Sequence, residues 1–116
     1  MARILIVDDE KEITALLQEF LTKNKYEAVT CDSGEKALAI LEERDGIELV
    51  ILDHKMPGIT GGTVLEEMRQ RKIDIPVILL TGSMGPEMKS IRSDVFLQKP
   101  IDLMIVLKKV KELLNQ

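Results

Sequence analysis

Aromatic residues are nearly missing from this chain of 116 residues: it has two Phe, one Tyr and no Trp, 3% in all. Its core must therefore be built from Ile, Leu, Val, Ala and Met, which the 45% hydrophobic content can supply. A single cysteine, Cys31, excludes an internal disulfide framework and a Cys-x-x-Cys zinc site. There is no basic excess: 16 Lys and Arg against 20 Asp and Glu leave a net charge of −4. That argues against a general binder of nucleic acid or anionic membrane, which needs a cationic surface. The apolar runs are strand-sized and far short of a membrane span. The opening MARILIVDDE meets acid after a few apolar residues, unlike a signal peptide, so the expected location is the cytoplasm.

What the chain does have is an alternation of two hydrophobic periods. Ile4-Leu5-Ile6-Val7, Leu49-Val50-Ile51-Leu52 and Val77-Ile78-Leu79-Leu80 are short continuous runs, the mark of strands buried on both faces. Ala28–Cys31 and Val95–Leu97 read as two weaker strands. Between them lie helical stripes. Ile13, Leu16, Leu17, Phe20 and Leu21 form one, Ala37, Leu38, Ile40 and Leu41 a second, and Val64, Leu65 and Met68 a third. Val106, Leu107, Val110, Leu113 and Leu114 mark a last helix, with Ser33 and Asp102 placed as N-caps of the second and the last. The pattern predicts an α/β fold of the (βα)5 kind, a parallel sheet with helices on both faces. Residues 53–62 read as a loop, rich in glycine around Pro57. The fourth helix is expected to be short, about two turns from Pro86 to Arg92, because Gly82, Gly85 and Pro86 consume its start.

Ligands of open parallel sheets bind beyond the carboxyl ends of the strands, so the residues closing each strand carry the functional information. Strand 1 closes in Asp8-Asp9-Glu10, strand 3 in Asp53, strand 4 in Thr81-Gly82 and strand 5 in Lys99-Pro100. Clustered carboxylates repel one another unless a cation sits among them. An oxygen-only set suits Mg²⁺, which takes one or two carboxylates together with phosphate oxygens. A hydroxyl and an ammonium opposite match the remaining oxygens of a phosphoryl group. The residues themselves thus point to a Mg²⁺-assisted phosphoryl site with Asp53 as a candidate nucleophile.

Val7-Asp8-Asp9-Glu10, Asp53 with Met56-Pro57-Gly58, Thr81-Gly82 and Lys99-Pro100, in this order and spacing, resemble the receiver domain of two-component response regulators, the CheY-like superfamily. The resemblance runs from Arg3 to Leu114. It implies a flavodoxin-like, doubly wound five-stranded sheet in the order 2-1-3-4-5, and one receiver domain over residues 1–116 with no output domain in this chain. It implies that Asp53 accepts a phosphoryl group from the phosphohistidine of a sensor histidine kinase or phosphotransfer protein. Asp9 and Asp53 would ligate Mg²⁺, or another divalent cation such as Mn²⁺. Asp8 would reach it through water, and the Lys55 carbonyl would complete the protein ligands. Lys99 would pair with Asp53 at rest and with the phosphoryl group afterwards, its bond to Pro100 being cis. Thr81 would be the switch hydroxyl and Phe96 the switch aromatic, although Phe96 as ordinary core fits equally well. The chain would act as a phosphoacceptor switch rather than a turnover enzyme. It would speak to an unknown protein target and bind neither nucleic acid nor membrane directly.

Several residues are open or depart from the family pattern. Lys55 and Ser83 sit where the family modulates loss of the phosphoryl group, and Lys55 either screens that group or lies in solvent. The usual small pair before strand 5 reads Ser93-Asp94, and the short fourth helix puts the family's dimer face in doubt and suggests local mobility at 83–93. His54 is expected to face solvent, and Cys31 to be inert packing. A pseudo-receiver is disfavoured by the complete set of Asp8, Asp9, Asp53, Thr81 and Lys99. Flavin binding is disfavoured by the acidic residues after strand 1, which repel a phosphate lacking a metal.

Overall fold

The short apolar runs become strands whose alternate side chains serve two separate cores. A computed structural model describes residues 1–115. Its strands are β1 (Arg3–Val7), β2 (Glu27–Cys31), β3 (Ile47–Asp53), β4 (Val77–Thr81) and β5 (Val95–Gln98). Its helices are α1 (Lys11–Lys23), α2 (Gly34–Glu42), α3 (Gly61–Gln70) and α4 (Leu103–Leu114). The sheet is parallel in the order β2-β1-β3-β4-β5. Leu5, Val7, Val50, Leu52 and Leu79 point to the face covered by α2 and α3, where they meet Leu38, Leu41, Val64 and Met68. Ile4, Ile6, Ile51, Ile78 and Leu80 point to the other face and meet Leu17, Leu21, Val106 and Val110 of α1 and α4. Period-two alternation therefore turns one continuous apolar run into the floor of both layers. Among the described residues no helix is long and apolar enough to cross a membrane.

The expected caps are present. Ser33 Oγ accepts from the Lys36 N–H at 3.1 Å, and Asp102 Oδ1 accepts from Met104 and Ile105 at 3.0 and 3.3 Å. Two expectations need correction. The helix expected between β4 and β5, about two turns from Pro86 to Arg92, is a five-residue 3₁₀ segment, Pro86–Ser90. Pro86 fixes its entry, Ile91 is already extended, and its single buried side chain, Met88, anchors it to the core under α2 and α3. The glycine-rich stretch also ends sooner than its composition implies, since Gly61 and Gly62 lie in the first turn of α3 behind a Thr60 cap. Gly61 belongs there for want of space: a Cβ would lie 2.6 Å from the Asp53 carbonyl oxygen and 2.9 Å from Leu79 Cδ1. The start of α3 is thereby pressed against the end of β3, where Asp53 sits.

Ser93 and Asp94, the departure noted before strand 5, have a structural task. Asp94 Oδ2 accepts from the Val77 N–H at 2.8 Å, and Ser93 Oγ donates to the Val77 carbonyl at 3.0 Å. They satisfy both main-chain groups of the first residue of β4 and tie the entry of β5 to it.

Because the atoms crowding Gly61 are largely main chain, Gly61→Ala is expected to lower stability by about 1–3 kcal/mol in urea denaturation. Gly82→Ala, with nothing within 4 Å of the new methyl, should be neutral or slightly stabilising. Equal behaviour of the two variants would refute the close-approach account.

Candidate functional site

Strand order reverses between β1 and β3, and both of these strands end in a carboxylate. Asp8 follows β1, its N–H donating to the Cys31 carbonyl at 3.2 Å, so it continues the pairing with β2. Asp53 is the last residue of β3, in register with Leu80. Both are almost fully buried, with relative exposures of 1% and 3%. Asp9 is exposed, yet one oxygen from each of Asp8, Asp9 and Asp53 falls within 4.8 Å of the others. These are oxygen-only donors, two of them desolvated, a set that fits a hard divalent cation.

Lys99 reaches the same place from β5. Its N–H donates to the Thr81 carbonyl at 2.7 Å, and its bond to Pro100 is cis, as expected. The ammonium lies 3.0 Å from Asp53 Oδ1, 3.3 Å from Asp8 Oδ2 and 3.4 Å from Glu10 Oε1. The pairing with Asp53 is the one the family resemblance implies; the contacts to Asp8 and Glu10 are additional to it. Burial is the main reason that the Asp53 pKa is pushed up to about 6. The Lys99 hydrogen bond opposes that rise, and the charges of Asp8 and Asp9 add to it. Burial raises Asp8 as well, against the Glu10 N–H and Lys99. For Lys99, burial works against the charge, but Asp53 and Asp8 outweigh it and raise its pKa. The site is thus short of positive charge.

The remaining predicted residues are placed as follows. Thr81 ends β4 and is buried, and its hydroxyl is occupied locally: it donates to the Ser83 carbonyl at 2.8 Å and accepts from the Ser83 N–H at 3.2 Å. Phe96 is half-buried in β5, opposite Leu79 and packed against the α2/α3-side core. Lys55 is exposed in the loop after Asp53. Cys31 is half-buried packing, with its thiol pushed up to about 11 by burial. His54 corrects the expectation of a solvent-facing ring. It is half-buried, its Nδ1 accepts from the Gly62 N–H at 3.2 Å, and burial lowers its pKa. The signal was the glycine pair at the start of α3, which lets that backbone approach the ring.

The raised Asp53 pKa fixes a sign for the pH dependence. Between about pH 4 and 6 the folded protein holds this proton and the unfolded chain does not, so the contribution of Asp53 to stability falls as pH rises and is lowest above about 6. With metal removed by chelator, Asp53→Asn is expected to gain on the wild type across this window, by on the order of 2 kcal/mol. Parallel urea midpoints for the two proteins from pH 4 to 7 would contradict this.

The geometry has close counterparts among known proteins. The family model described as the response regulator receiver domain matches residues 4–111. The response regulator SaeR of Staphylococcus aureus is 37% identical over 81 residues, which cover 70% of this chain and 35% of that protein. The match thus spans about a third of that curated relative's length. Among solved structures, the response regulator protein TrrA of Thermotoga maritima, in complex with Mg²⁺-BeF, is 39% identical with a TM-score of 0.85, covering 97% of this chain and 99% of that one. A CheY-like receiver domain protein of Methanospirillum hungatei is 28% identical with a TM-score of 0.91, covering 99% and 94%. The receiver domain of the hybrid histidine kinase CckA is 35% identical with a TM-score of 0.83, covering 97% and 99%. With acidic residues at the switch point, a lysine from β5 across from them and a family match over nearly its whole length, this chain belongs to the response regulator receiver domain family.

Proposed function

We propose that the chain is a phosphoacceptor switch in which Asp53 takes a phosphoryl group from the phosphohistidine of a sensor histidine kinase or phosphotransfer protein. The observation that carries this reading is the desolvated Asp53 carboxylate, 3.0 Å from the Lys99 ammonium and clustered with Asp8 and Asp9. Transfer forms a bond between an Asp53 oxygen and phosphorus and breaks the phosphorus–nitrogen bond of the donor, whose imidazole keeps the electron pair. Mg²⁺, or another divalent cation such as Mn²⁺, supplies positive charge for the phosphoryl oxygens when bound. Asp8, Asp9, Asp53 and the Lys55 carbonyl are the groups that would hold it; the clustered oxygens of the three aspartates, and the complex of the 39% identical TrrA with Mg²⁺-BeF, support a divalent cation here.

The other residues then have definite tasks. Lys99 transfers part of its pairing from Asp53 to a phosphoryl oxygen, a charge-assisted bond that strengthens as the group arrives. Thr81 must exchange its Ser83 partners for the phosphoryl group, and the space it leaves permits Phe96 to turn inward. These contacts exist in one state only, so phosphorylation shifts the population towards it. The phosphoryl group stays on the protein until hydrolysis, which makes this a switch and not a turnover enzyme.

The donor and the target are both read as proteins. Exposed Leu16 on α1 and Met104 and Ile105 on α4 leave apolar surface on the two helices that begin beside the acidic rim. Residues 1–116 taken as one receiver domain pass the signal on through protein contact, with no direct part for nucleic acid or membrane.

Incubation with Mg²⁺ and acetyl phosphate, followed by intact mass measurement, should show one labile phosphoryl increment that is absent in Asp53→Asn. No increment in the wild type, with Mg²⁺ binding demonstrated, would instead indicate a receiver fold used purely for interaction.

A further inference from the structure

Glu10 stands at the N-cap of α1, yet its side chain caps nothing in that helix. It turns away instead, placing Oε1 3.4 Å from the Lys99 ammonium. Its main chain works in the same direction, because the Glu10 N–H donates to Asp8 Oδ1 at 2.9 Å while Lys99 binds Asp8 Oδ2 at 3.3 Å. Asp8, Glu10 and Lys99 therefore close a ring of three contacts, and Asp53 is attached to the ring through Lys99.

An ammonium has three N–H donors. At rest Lys99 faces three carboxylates: it hydrogen-bonds those of Asp8 and Glu10 and pairs with that of Asp53 at 3.0 Å. The phosphoryl oxygen that takes over from Asp53 lies beyond the carboxylate oxygen it replaces as partner, so the ammonium must shift to meet it and loosen its contact with Asp8 or Glu10. The partners are unequal: the side chains of Asp8 and Asp53 are 0% and 4% exposed, and that of Glu10 is 61% exposed. A buried carboxylate stripped of its cation has no water to replace it, whereas an exposed one is resolvated at once. Glu10 is the partner that yields.

We infer that Glu10 is a positioning residue that holds the Lys99 ammonium at the rim in the resting state and competes for it with the incoming phosphoryl group. The competition rests on the reading of Asp53 as phosphoacceptor; the holding contact does not. Glu10 sets how readily the site is occupied, because every phosphorylation event has to loosen its contact with Lys99. The strength at stake is that of one exposed ion pair, a factor of about two to five in occupancy.

Four proteins separate this from a general effect of charge. Glu10→Gln removes the charge and keeps the length, and Glu10→Asp keeps the charge and shortens the reach. Glu12→Gln removes a charge from the first turn of the same helix at a side chain exposed to solvent. In metal-free protein, NMR relaxation of the Lys99 ammonium should show greater mobility in both Glu10 variants and none added in Glu12→Gln. In titrations with beryllium fluoride at saturating Mg²⁺, both Glu10 variants should bind about two to five times more tightly than wild type. If Glu10→Asp matches the wild type while Glu10→Gln matches Glu12→Gln, only bulk charge matters and the inference is overturned. If Lys99 is freed in both Glu10 variants but the wild type ignores beryllium fluoride, the holding contact stands, and the phosphoacceptor reading fails together with the competition.

Discussion

Two carboxylates buried side by side share one ammonium, and the rest of this molecule is arranged around that imbalance. Asp8 and Asp53 stand at the ends of adjacent central strands, where the switch in strand order opens a crevice above the sheet. Taking two like charges out of water is unfavourable, and a single cation reduces the cost without cancelling it. Lys99 reaches Asp53 at 3.0 Å, and burial still pushes that carboxyl up to about 6. A site of this kind gains from any further positive charge and from any group that carries its own counterions. A divalent cation with a phosphoryl group meets both conditions.

The fold serves the site by fixing main-chain positions rather than by enclosing a cavity. The Lys99 N–H is tied to the Thr81 carbonyl, the His54 N–H to the Leu80 carbonyl and the Gly61 N–H to the His54 carbonyl. These bonds set the ends of β3, β4 and β5 against one another at the level of the carboxylates. Below them, Ser93 and Asp94 pin the entry of β5 to the start of β4. The contrasting segment is the crossover from β4 to β5, where a five-residue 3₁₀ turn with one buried anchor, Met88, stands in place of a full helix. Thr81 leads directly into that segment through its bonds to Ser83. The buried end of β4 and a crossover whose 3₁₀ turn has one buried side chain are therefore adjacent in the chain.

Much of this was legible in the residues, for physical reasons that differ from case to case. The continuous apolar runs could only be strands covered on both faces, and Ser33 and Asp102 marked helix starts by capping chemistry. The acids after β1 and β3, Thr81 and Lys99 could be assigned to one rim because parallel strands deliver all their carboxyl ends to one edge of the sheet. What remained hidden depended on distances between segments remote in sequence. Gly61 and Gly62 looked like loop because composition cannot report that a helix starts against the Asp53 carbonyl. His54 was expected in solvent because the glycine pair that lets the Gly62 N–H come within 3.2 Å of its ring reads as loop by composition. Glu10 gave no warning either. It is a poor helix cap by type, and its partner lies 89 residues away.

The central claim is that burial, with the charges of Asp8 and Asp9 adding to it and one ammonium opposing it, holds the Asp53 carboxyl up to about 6. Calorimetric titration of the metal-free protein with Mg²⁺ at pH 6, in buffers of differing ionisation enthalpy, tests it most directly by counting protons. Proton release is expected at pH 6, fading by pH 8 as Asp53 becomes fully ionised beforehand, and strongly reduced in Asp53→Asn. Tight binding of Mg²⁺ at pH 6 with the same heat in every buffer would contradict the account.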